Sequence, residues 1–117
     1  MTAKNDRVYL EHILEAISDI QQYTAAGHDA FLSDRMRQDA VIRKLQVIGE
    51  AVKNLSDATT AAHPDVPWRR IAGMRDRLTH AYFGVDLALV WVVVDTQLPP
   101  LRDAVTRAIA ALSLIHI

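Results

Sequence analysis

The sequence predicts an all-α fold, an up-and-down bundle of four to five helices. Apolar residues recur every three to four positions over three long stretches, which is the spacing of amphipathic helices. No stretch alternates as a strand does, and no Asn-Gly or Asp-Gly turn is present. Half of the residues are apolar and 23% are charged, a composition typical of a globular protein. The 117 residues suffice for one core, so we expect a helical domain over residues 1–111 and a ragged or non-native tail over 112–117.

The first helix is predicted to start near Arg7, with Asn5 and Asp6 as N-cap residues, and to end at Gly27. Its apolar stripe contains Tyr9, Ile13, Ile17, Ile20 and either Tyr23 or Ala25. A short helical turn is expected over 29–32, and Ser33 or Asp34 then caps a second long helix. The stripe of that helix consists of Val41, Leu45, Ile48, Val52 and Leu55.

Residues 56–67 lose this periodicity and predict a frayed helix end followed by a proline-containing loop. A third helix is expected to begin at Pro67, to run to about Tyr82 and to end at Gly84. Asp86 is placed to cap the next helix, whose apolar run over 87–94 predicts burial on most sides. The Pro99-Pro100 pair is expected to break or kink that helix, leaving a final helix over about 100–112.

Composition excludes several classes of function. The net charge of −1 argues against broad coating of nucleic acid. The absence of cysteine excludes disulfides, thiolate nucleophiles and cysteine-ligated zinc, and it suits a reducing cytoplasm. The longest apolar run, eight residues, is too short to span a bilayer, and the polar first residues indicate no signal peptide. We therefore expect a cytoplasmic protein with no membrane contact, no metal and no cofactor.

The stretch from Trp68 to Asp86 carries the chemistry. It holds four of the thirteen basic residues, and residues 68–82 have a local balance of +3. Within it, Arg75, His80 and Tyr82 form the pattern Arg-x4-His-x-Tyr. An arginine offers a planar fork of donors for phosphate, and an imidazole exchanges a proton at neutral pH. Together these groups would cleave RNA without a metal: His80 would assist attack of a ribose 2′-OH, and Arg75 would stabilise the charged phosphorane.

Helix geometry places these three groups unequally. At about 100° per residue, Arg75 and Tyr82 lie within about 20° of each other, whereas His80 lies roughly 140° from Arg75. Either the helix loosens before Gly84, or the site is completed across a dimer interface. Taken alone the pattern is weak, because a surface ion pair and a helix-end histidine produce the same spacing.

Other charged and aromatic residues remain open to two interpretations. Glu50 is either solvated or pairs with an arginine of the motif, and Asp76 and Arg77 are solvated charges or part of the site. Arg69 and Arg70, beside the motif, are candidates for RNA phosphate contacts. Trp68 and Trp91 either stack on bases or belong to the core. A basic stretch on the second helix, either an RNA path or a solvated face, consists of Arg35, Arg37, Arg43 and Lys44.

A larger ordered set of residues resembles the HEPN superfamily, specifically its DUF86 or HepT-like toxin group. The resemblance covers about residues 5–110 and is far more specific than the three-residue pattern. Its matching positions are Pro67-Trp68-Arg69, Ile71-Ala72-Gly73-Met74-Arg75, Leu78, His80-Ala81-Tyr82-Phe83-Gly84-Val85-Asp86 and Trp91, with Ile48-Gly49-Glu50-Ala51-Val52 upstream and Leu98-Pro99 downstream.

The resemblance implies a helical homodimer with a metal-independent ribonuclease site in its cleft. It assigns catalysis to Arg75 and His80, and it implies a partner, a small nucleotidyltransferase antitoxin that transfers AMP to Tyr82. RNA phosphates would be held by Arg69, Arg70 and Arg77. This chain departs from many members by having Asp76 where they carry a polar amide, which bears on efficiency. The alternative function is a non-catalytic helical subunit that binds nucleotide through Arg75 or docks a nucleotidyltransferase.

Overall fold

The computed structural model describes the backbone of residues 3–80 and 86–115 and the side chains of residues 5–74 and 86–113. Within these ranges the chain is helical and has no strand, which confirms the all-α prediction. The described elements are α1 (Ala3–Tyr23), α2 (His28–Leu32), α3 (Arg35–Lys53), α4 (Asp57–Ala62), α5 (Trp68–His80), α6 (Leu87–Val92), a π-helical segment (Val93–Gln97) and α7 (Leu98–Ile115).

The long helices pack side by side into an elongated bundle. Helix α3 packs against both α1 and α5, and α7 also packs against α1. Helix α6, the π-helical segment and α7 follow one another without a break. The molecule measures 48 × 27 × 21 Å, so the bundle is long and narrow and one core runs along it.

The apolar stripes predicted for the first two long helices form this core. Ile13, Ile17 and Ile20 of α1 are fully buried, and so are Leu45 and Ile48 of α3. Helix α7 adds a third buried stripe, which consists of Leu98, Leu101, Ala104, Val105, Ala108 and Leu112. Apolar periodicity therefore identified the inward faces correctly, because burial of one face is what stabilises each helix of a bundle.

Asp6 does not cap α1, in contrast to the prediction. Helix α1 begins at Ala3, and the Asp6 side chain is 1% exposed within its first turns. Its carboxylate accepts hydrogen bonds from Ser56 N at 2.9 Å, Ser56 Oγ at 2.5 Å and Thr59 Oγ1 at 2.5 Å. Asp6 thus ties α1 to the start of α4, a contact between residues fifty positions apart that no local pattern reveals.

Helix α1 also ends earlier than the predicted Gly27. Helix α1 stops at Tyr23, and Thr24 N and Thr24 Oγ1 both donate to Ile20 O. Gly27 precedes α2 with φ of +99°, a backbone conformation that glycine adopts readily. Asp34, one of the two predicted caps, accepts from Arg37 N at 3.3 Å and starts α3.

Residues 56–67 contain a short helix where the sequence predicted fraying and loop. Ser56 caps α4 by accepting a hydrogen bond from Thr59 N at 3.3 Å, while its own hydroxyl donates to Asp6. Helix α4 has only six residues and little apolar periodicity, because most of its side chains face solvent. Its formation depends on this capping, which explains why a search for apolar spacing missed it.

The predicted burial of the apolar run over 87–94 is wrong for three of its eight residues, which are exposed: Ala88, Leu89 and Val92. Asp86 caps α6 as expected, accepting from Ala88 N at 3.0 Å and Leu89 N at 3.2 Å. Val90 and Val94 are buried, but Leu89 is 56% exposed and Val92 is 46% exposed. A continuous apolar run does not show which face of the helix points to the core, so the prediction from composition alone overestimated burial here.

The Pro99-Pro100 pair neither ends nor splits the helix. A proline ring clashes with the carbonyl four residues earlier, which would be Asp95 for Pro99 and Thr96 for Pro100. Both carbonyls lie in the π-helical segment, where Leu98 N donates to Val93 O across five residues rather than four. The wider turn makes room for the rings, and α7 begins at Leu98 directly after it.

Helix α7 extends further at both ends than the predicted 100–112. It runs to Ile115, Leu112 is buried, and Ser113 Oγ accepts from Arg7 Nη1 at 2.8 Å. Residues 112 and 113 therefore contact the bundle. The division into a domain over 1–111 and a tail over 112–117 stays a prediction.

Candidate functional site

Helix α5, which carries the motif, is fixed at its N-terminal end by Pro67 and Trp68. Pro67 O accepts from Ile71 N at 3.1 Å, and the helix begins at Trp68, one residue after the predicted start. Trp68 is 8% exposed, and its Nε1 donates to His63 O at 3.0 Å. Trp68 is therefore a core residue that anchors α5, and stacking on a base is excluded for it.

Arg69 and Arg70 follow directly in the first turn of α5, and both side chains are exposed. Neither guanidinium pairs with an acidic group among the side chains that the structure describes. Two solvated cations at adjacent positions, on the helix that carries the motif, form the basic surface that the sequence predicted. Their exposure fits contacts with phosphate, which they would approach from solvent.

The catalytic candidates lie further along the same helix. Arg75, Asp76, Arg77 and His80 belong to α5, which remains α-helical through His80. Their side chains lie outside the described residues, and Tyr82 lies outside them entirely. The backbone alone places Arg75 and His80 about 7.5 Å apart along the axis and about 140° apart around it. The helix does not loosen between them, so Arg75 and His80 occupy positions on different faces of one copy of α5.

Glu50, the proposed partner of a motif arginine, lies on α3, which packs against α5. Its side chain is exposed, next to the buried Gly49, and its carbonyl accepts from Asn54 Nδ2 at 2.9 Å. This position is compatible with both interpretations, and the pairing with a motif arginine stays a prediction.

The basic stretch on α3 is held mostly by neighbouring carboxylates. Lys44 Nζ lies 3.0 Å from Asp19 Oδ2 on α1, Arg35 Nε lies 4.0 Å from Asp39, and Arg37 Nε lies 3.9 Å from Asp34. The hydrogen bond to Asp19 raises the pKa of Lys44. These ion pairs favour the interpretation of a solvated helix face over that of an RNA path.

Trp91 is partly buried and takes part in an aromatic cluster. Its ring centroid lies 5.3 Å from that of His28 and 5.6 Å from that of Phe31. His28 begins α2, and its imidazole meets the Trp91 ring edge-on. Trp91 therefore joins α6 to α2, which favours a structural role.

A cavity of about 740 Å³ opens between α5, the π-helical segment and the start of α7. Its lining includes Arg70, Ile71 and Met74 of α5 and Leu89, Val93 and Gln97 on the opposite wall. Sequence reasoning missed this feature, because it depends on the π turn and on the outward direction of Leu89. The one local signal for it in the sequence was the long apolar run of α6, which has more apolar residues than one buried helix face needs.

Within the described side chains, no group of three or more histidine, aspartate and glutamate residues is arranged to hold a metal ion. In the same part of the chain, no helix is both long enough and apolar enough to span a bilayer.

Comparison with known proteins places the chain in a family. Residues 13–108 match the family model described as ribonuclease HepT-like. A Thermococcus cleftensis protein named as a probable ribonuclease HepT is 45% identical over 100 residues, covering 85% of this chain and 91% of that protein. A candidate RNase of Caldanaerobacter subterraneus subsp. tengcongensis is 41% identical over 103 residues, covering 87% of this chain and 92% of that protein.

A longer relative has a second activity in its name. It is a Methanocaldococcus jannaschii protein described as a gamma-glutamylcyclotransferase and candidate RNase, 43% identical over 105 residues. That match covers 89% of this chain, which spans about half the length (47%) of the relative. No solved structure is significantly similar to the chain. The family match, which covers most of α1 to α7, leads to one conclusion: the chain belongs to the HepT-like ribonuclease family.

Proposed function

We propose that this protein is a metal-independent endoribonuclease in which Arg75 and His80 act on the scissile phosphate. The family match over residues 13–108 carries the proposal, because it includes the whole motif helix and two similar proteins are named as ribonucleases. The exposed Arg69 and Arg70 support it, since they give α5 a basic surface next to the motif. Arg77 is a further candidate for a phosphate contact.

The reaction would use the RNA's own nucleophile. The ribose 2′-oxygen attacks phosphorus, its proton passes to a histidine, and the bond from phosphorus to the 5′-oxygen breaks. A second proton donor protonates the leaving 5′-oxygen, leaving a 2′,3′-cyclic phosphate and a 5′-hydroxyl. The guanidinium of Arg75 would stabilise the negative charge that develops on the phosphorane oxygens. DNA lacks the 2′-hydroxyl and would not be cut.

We infer that the working form is a homodimer. The angle of about 140° between Arg75 and His80 on a continuous α5 separates them within one copy. Two copies facing one groove would bring the arginine of one motif towards the histidine of the other. They would also supply two imidazoles, one to accept the first proton and one to donate the second.

Regulation would act on Tyr82. By its resemblance to toxin ribonucleases, the chain would be the toxin of a toxin–antitoxin pair, and a small nucleotidyltransferase would be its antitoxin. By helical spacing of the sequence Tyr82 would share a face with Arg75, so transfer of AMP to Tyr82 would place a bulky anion beside that arginine. The added phosphate would occupy the guanidinium and repel the RNA backbone. Asp76 would compete with RNA for Arg75 in the same manner but more weakly.

The catalytic assignment is tested by cleavage of single-stranded RNA in the presence of a chelator. We expect His80→Ala and Arg75→Ala to lower the rate at least 100-fold, the usual effect of removing an acid–base group or a group that stabilises charge in the transition state. Arg75→Lys should recover little, because it keeps the charge but loses the planar fork. His12→Ala is the matched control, since His12 is exposed on α1 and outside the motif. Full activity of His80→Ala would refute the assignment.

The regulatory assignment is tested by intact mass after co-expression with a nucleotidyltransferase encoded beside this chain. We expect the mass to rise by AMP-sized units, and the increase to disappear in Tyr82→Phe but persist in Tyr23→Phe. If the mass is unchanged and the protein cuts no RNA alone, the chain is instead a non-catalytic docking or nucleotide-binding subunit. Loss of partner binding in Arg75→Ala would then identify the docking residue.

A further inference from the structure

The cavity beside α5 has the size and interior of a ligand site. Its volume of about 740 Å³ falls within the range of roughly 300–1,000 Å³ typical of sites for small molecules. The interior is mostly aliphatic, with Ile48, Ile71, Val90 and Leu101 among its lining residues. Such walls accept a weakly polar group and reduce its contact with water.

Only some of the polar side chains around the cavity have hydrogen-bond or ion-pair partners among the described residues. Asp65 lies 3.7 Å from Arg107, and one carboxylate oxygen of Asp86 accepts the backbone amides that begin α6. Arg70 and Gln97, which also line the cavity, have no partner among the described side chains. These two residues offer a ligand one cation and one amide, the latter with both a donor and an acceptor.

The wall that carries Gln97 is the π-helical segment. Three of its five residues, Val93, Thr96 and Gln97, line the cavity. Thr96 Oγ1 donates to Val92 O at 2.6 Å, so its hydroxyl is occupied within the helix. Single π-helical turns are rare, and they occur often at functional sites because they change the direction of neighbouring side chains.

We propose that this cavity receives one unpaired nucleobase of the RNA substrate, with Gln97 at the edge of the base and Arg70 on an adjoining phosphate. The proposal rests on the proposed ribonuclease function. Bases removed from a stack are held between apolar side chains and recognised by hydrogen bonds along their edges. Glutamine pairs with base edges through its amide, and arginine forms a fork with phosphate oxygens.

The position of Arg70 on α5 limits where this base would lie relative to the cut. Arg75 follows Arg70 by five residues, which is about 7.5 Å along the helix axis and about 140° around it. The two residues are therefore near each other but on different faces of α5. The cavity would select for an unpaired base within a few nucleotides of the scissile phosphate.

An apolar protein segment fits the same cavity less well. It would fill the aliphatic interior but would bury Gln97 and Arg70 without partners, and burial of unpaired polar groups is costly. A ribonucleotide satisfies the apolar interior, the amide and the cation together.

The proposal is tested with fluorescently labelled single-stranded RNA on the full chain. After the cut is mapped, each nucleotide near it is replaced in turn by an abasic one, and binding and cleavage are both measured. We expect one position within a few nucleotides of the cut to lose about tenfold, because an abasic nucleotide has no base to bury in the apolar cavity. Other positions should change by less than about twofold.

Protein variants connect that position to the cavity. Leu89→Trp would fill the mouth, since Leu89 is 56% exposed and lines the cavity, and Val8→Trp is its control, being 49% exposed on α1. We expect Leu89→Trp to lose affinity for intact RNA and to abolish the abasic effect, whereas Val8→Trp changes neither. Gln97→Ala should weaken discrimination among bases at the same position, and the exposed Gln22→Ala should not. Thermal melting confirms that each variant is folded.

The outcomes separate the two proposals. Suppose that the parent protein cleaves RNA. The cavity proposal is then overturned if no abasic position changes binding or cleavage, or if the abasic effect persists in Leu89→Trp. Neither result contradicts the proposed ribonuclease function. If the protein cuts no RNA, no cut can be mapped, and the affinity of Leu89→Trp for intact RNA then decides whether the cavity takes part in binding. Unchanged RNA affinity in Leu89→Trp would overturn it in that case as well.

Discussion

Replacing Asp6 by asparagine tests the tie between α1 and α4. The carboxylate is buried and accepts three hydrogen bonds, two from Ser56 and one from Thr59. Asparagine keeps the shape and one acceptor oxygen but removes the charge. Hydrogen bonds to charged groups contribute about 1.5–3 kcal/mol each, and part of this is retained by the amide. We expect a loss of about 2–3 kcal/mol in the free energy of unfolding, or a fall in Tm of roughly 10 °C.

This loss should depend on pH. Burial raises the pKa of Asp6, but the hydrogen bonds from Ser56 and Thr59 lower it by more, so it lies below the ordinary value. The folded state therefore binds this proton less readily than the unfolded chain, whose carboxyl titrates near about 3.9. The stabilisation is present above that pH and disappears as the pH falls through the folded-state pKa. The difference between wild type and Asp6→Asn should shrink accordingly in acid.

Urea denaturation followed by circular dichroism, at neutral pH and at several acidic values, measures both effects. Asp57→Asn is the matched control, because Asp57 is an exposed carboxylate in the first turn of α4, the helix that Asp6 contacts. It should cost no more than about 1 kcal/mol, the usual range for a charge at a helix end. If Asp6→Asn stays within about 0.5 kcal/mol of wild type, or if its effect does not decline in acid, the proposed role of the carboxylate is refuted.

Three further changes should have smaller effects. Asp86→Ala removes the cap of α6 and should lower the free energy of unfolding by about 1 kcal/mol in urea, with Asp86→Asn recovering most of it. Lys44→Gln should cost at most about 1 kcal/mol, because its pair with Asp19 is partly solvated, and the cost should diminish in about 1 M salt. Trp68→Phe loses the bond from Nε1 to His63 O and should cost about 1–2 kcal/mol, while the fluorescence that remains reports Trp91 alone.

Local patterns predicted much of the fold. The stripes through Ile17 and Leu45, and the caps at Asp34 and Asp86, depend on residues within one or two turns of each other. Such signals are complete in the sequence, because the partner of each cap is an amide two or three positions ahead.

Features that depend on contacts between distant residues could not be predicted from local sequence patterns. Asp6 has the residue type and position of an N-cap, but its partners lie fifty residues later and call for a different role. The outward direction of Leu89 and the π turn before Pro99 depend on how α6 and α7 pack, which no window of sequence contains. For the site, the sequence located the exposed Arg69 and Arg70 on the motif helix, whereas the cavity beside them required the assembled bundle.

The π turn also makes the cavity sensitive to chain length. A π-helical turn holds one residue more than the α-helical turn it replaces, so deleting one residue within Val93–Gln97 would leave an unbroken α-helix. Everything before the deletion would then rotate by about 100° relative to α7. Val90 would leave the core and Leu89 would leave the cavity wall, while the prolines would lose the room that the wider turn provides. A single codon here therefore sets the rotation of α6 relative to α7. Relatives that lack this codon should also lack the cavity.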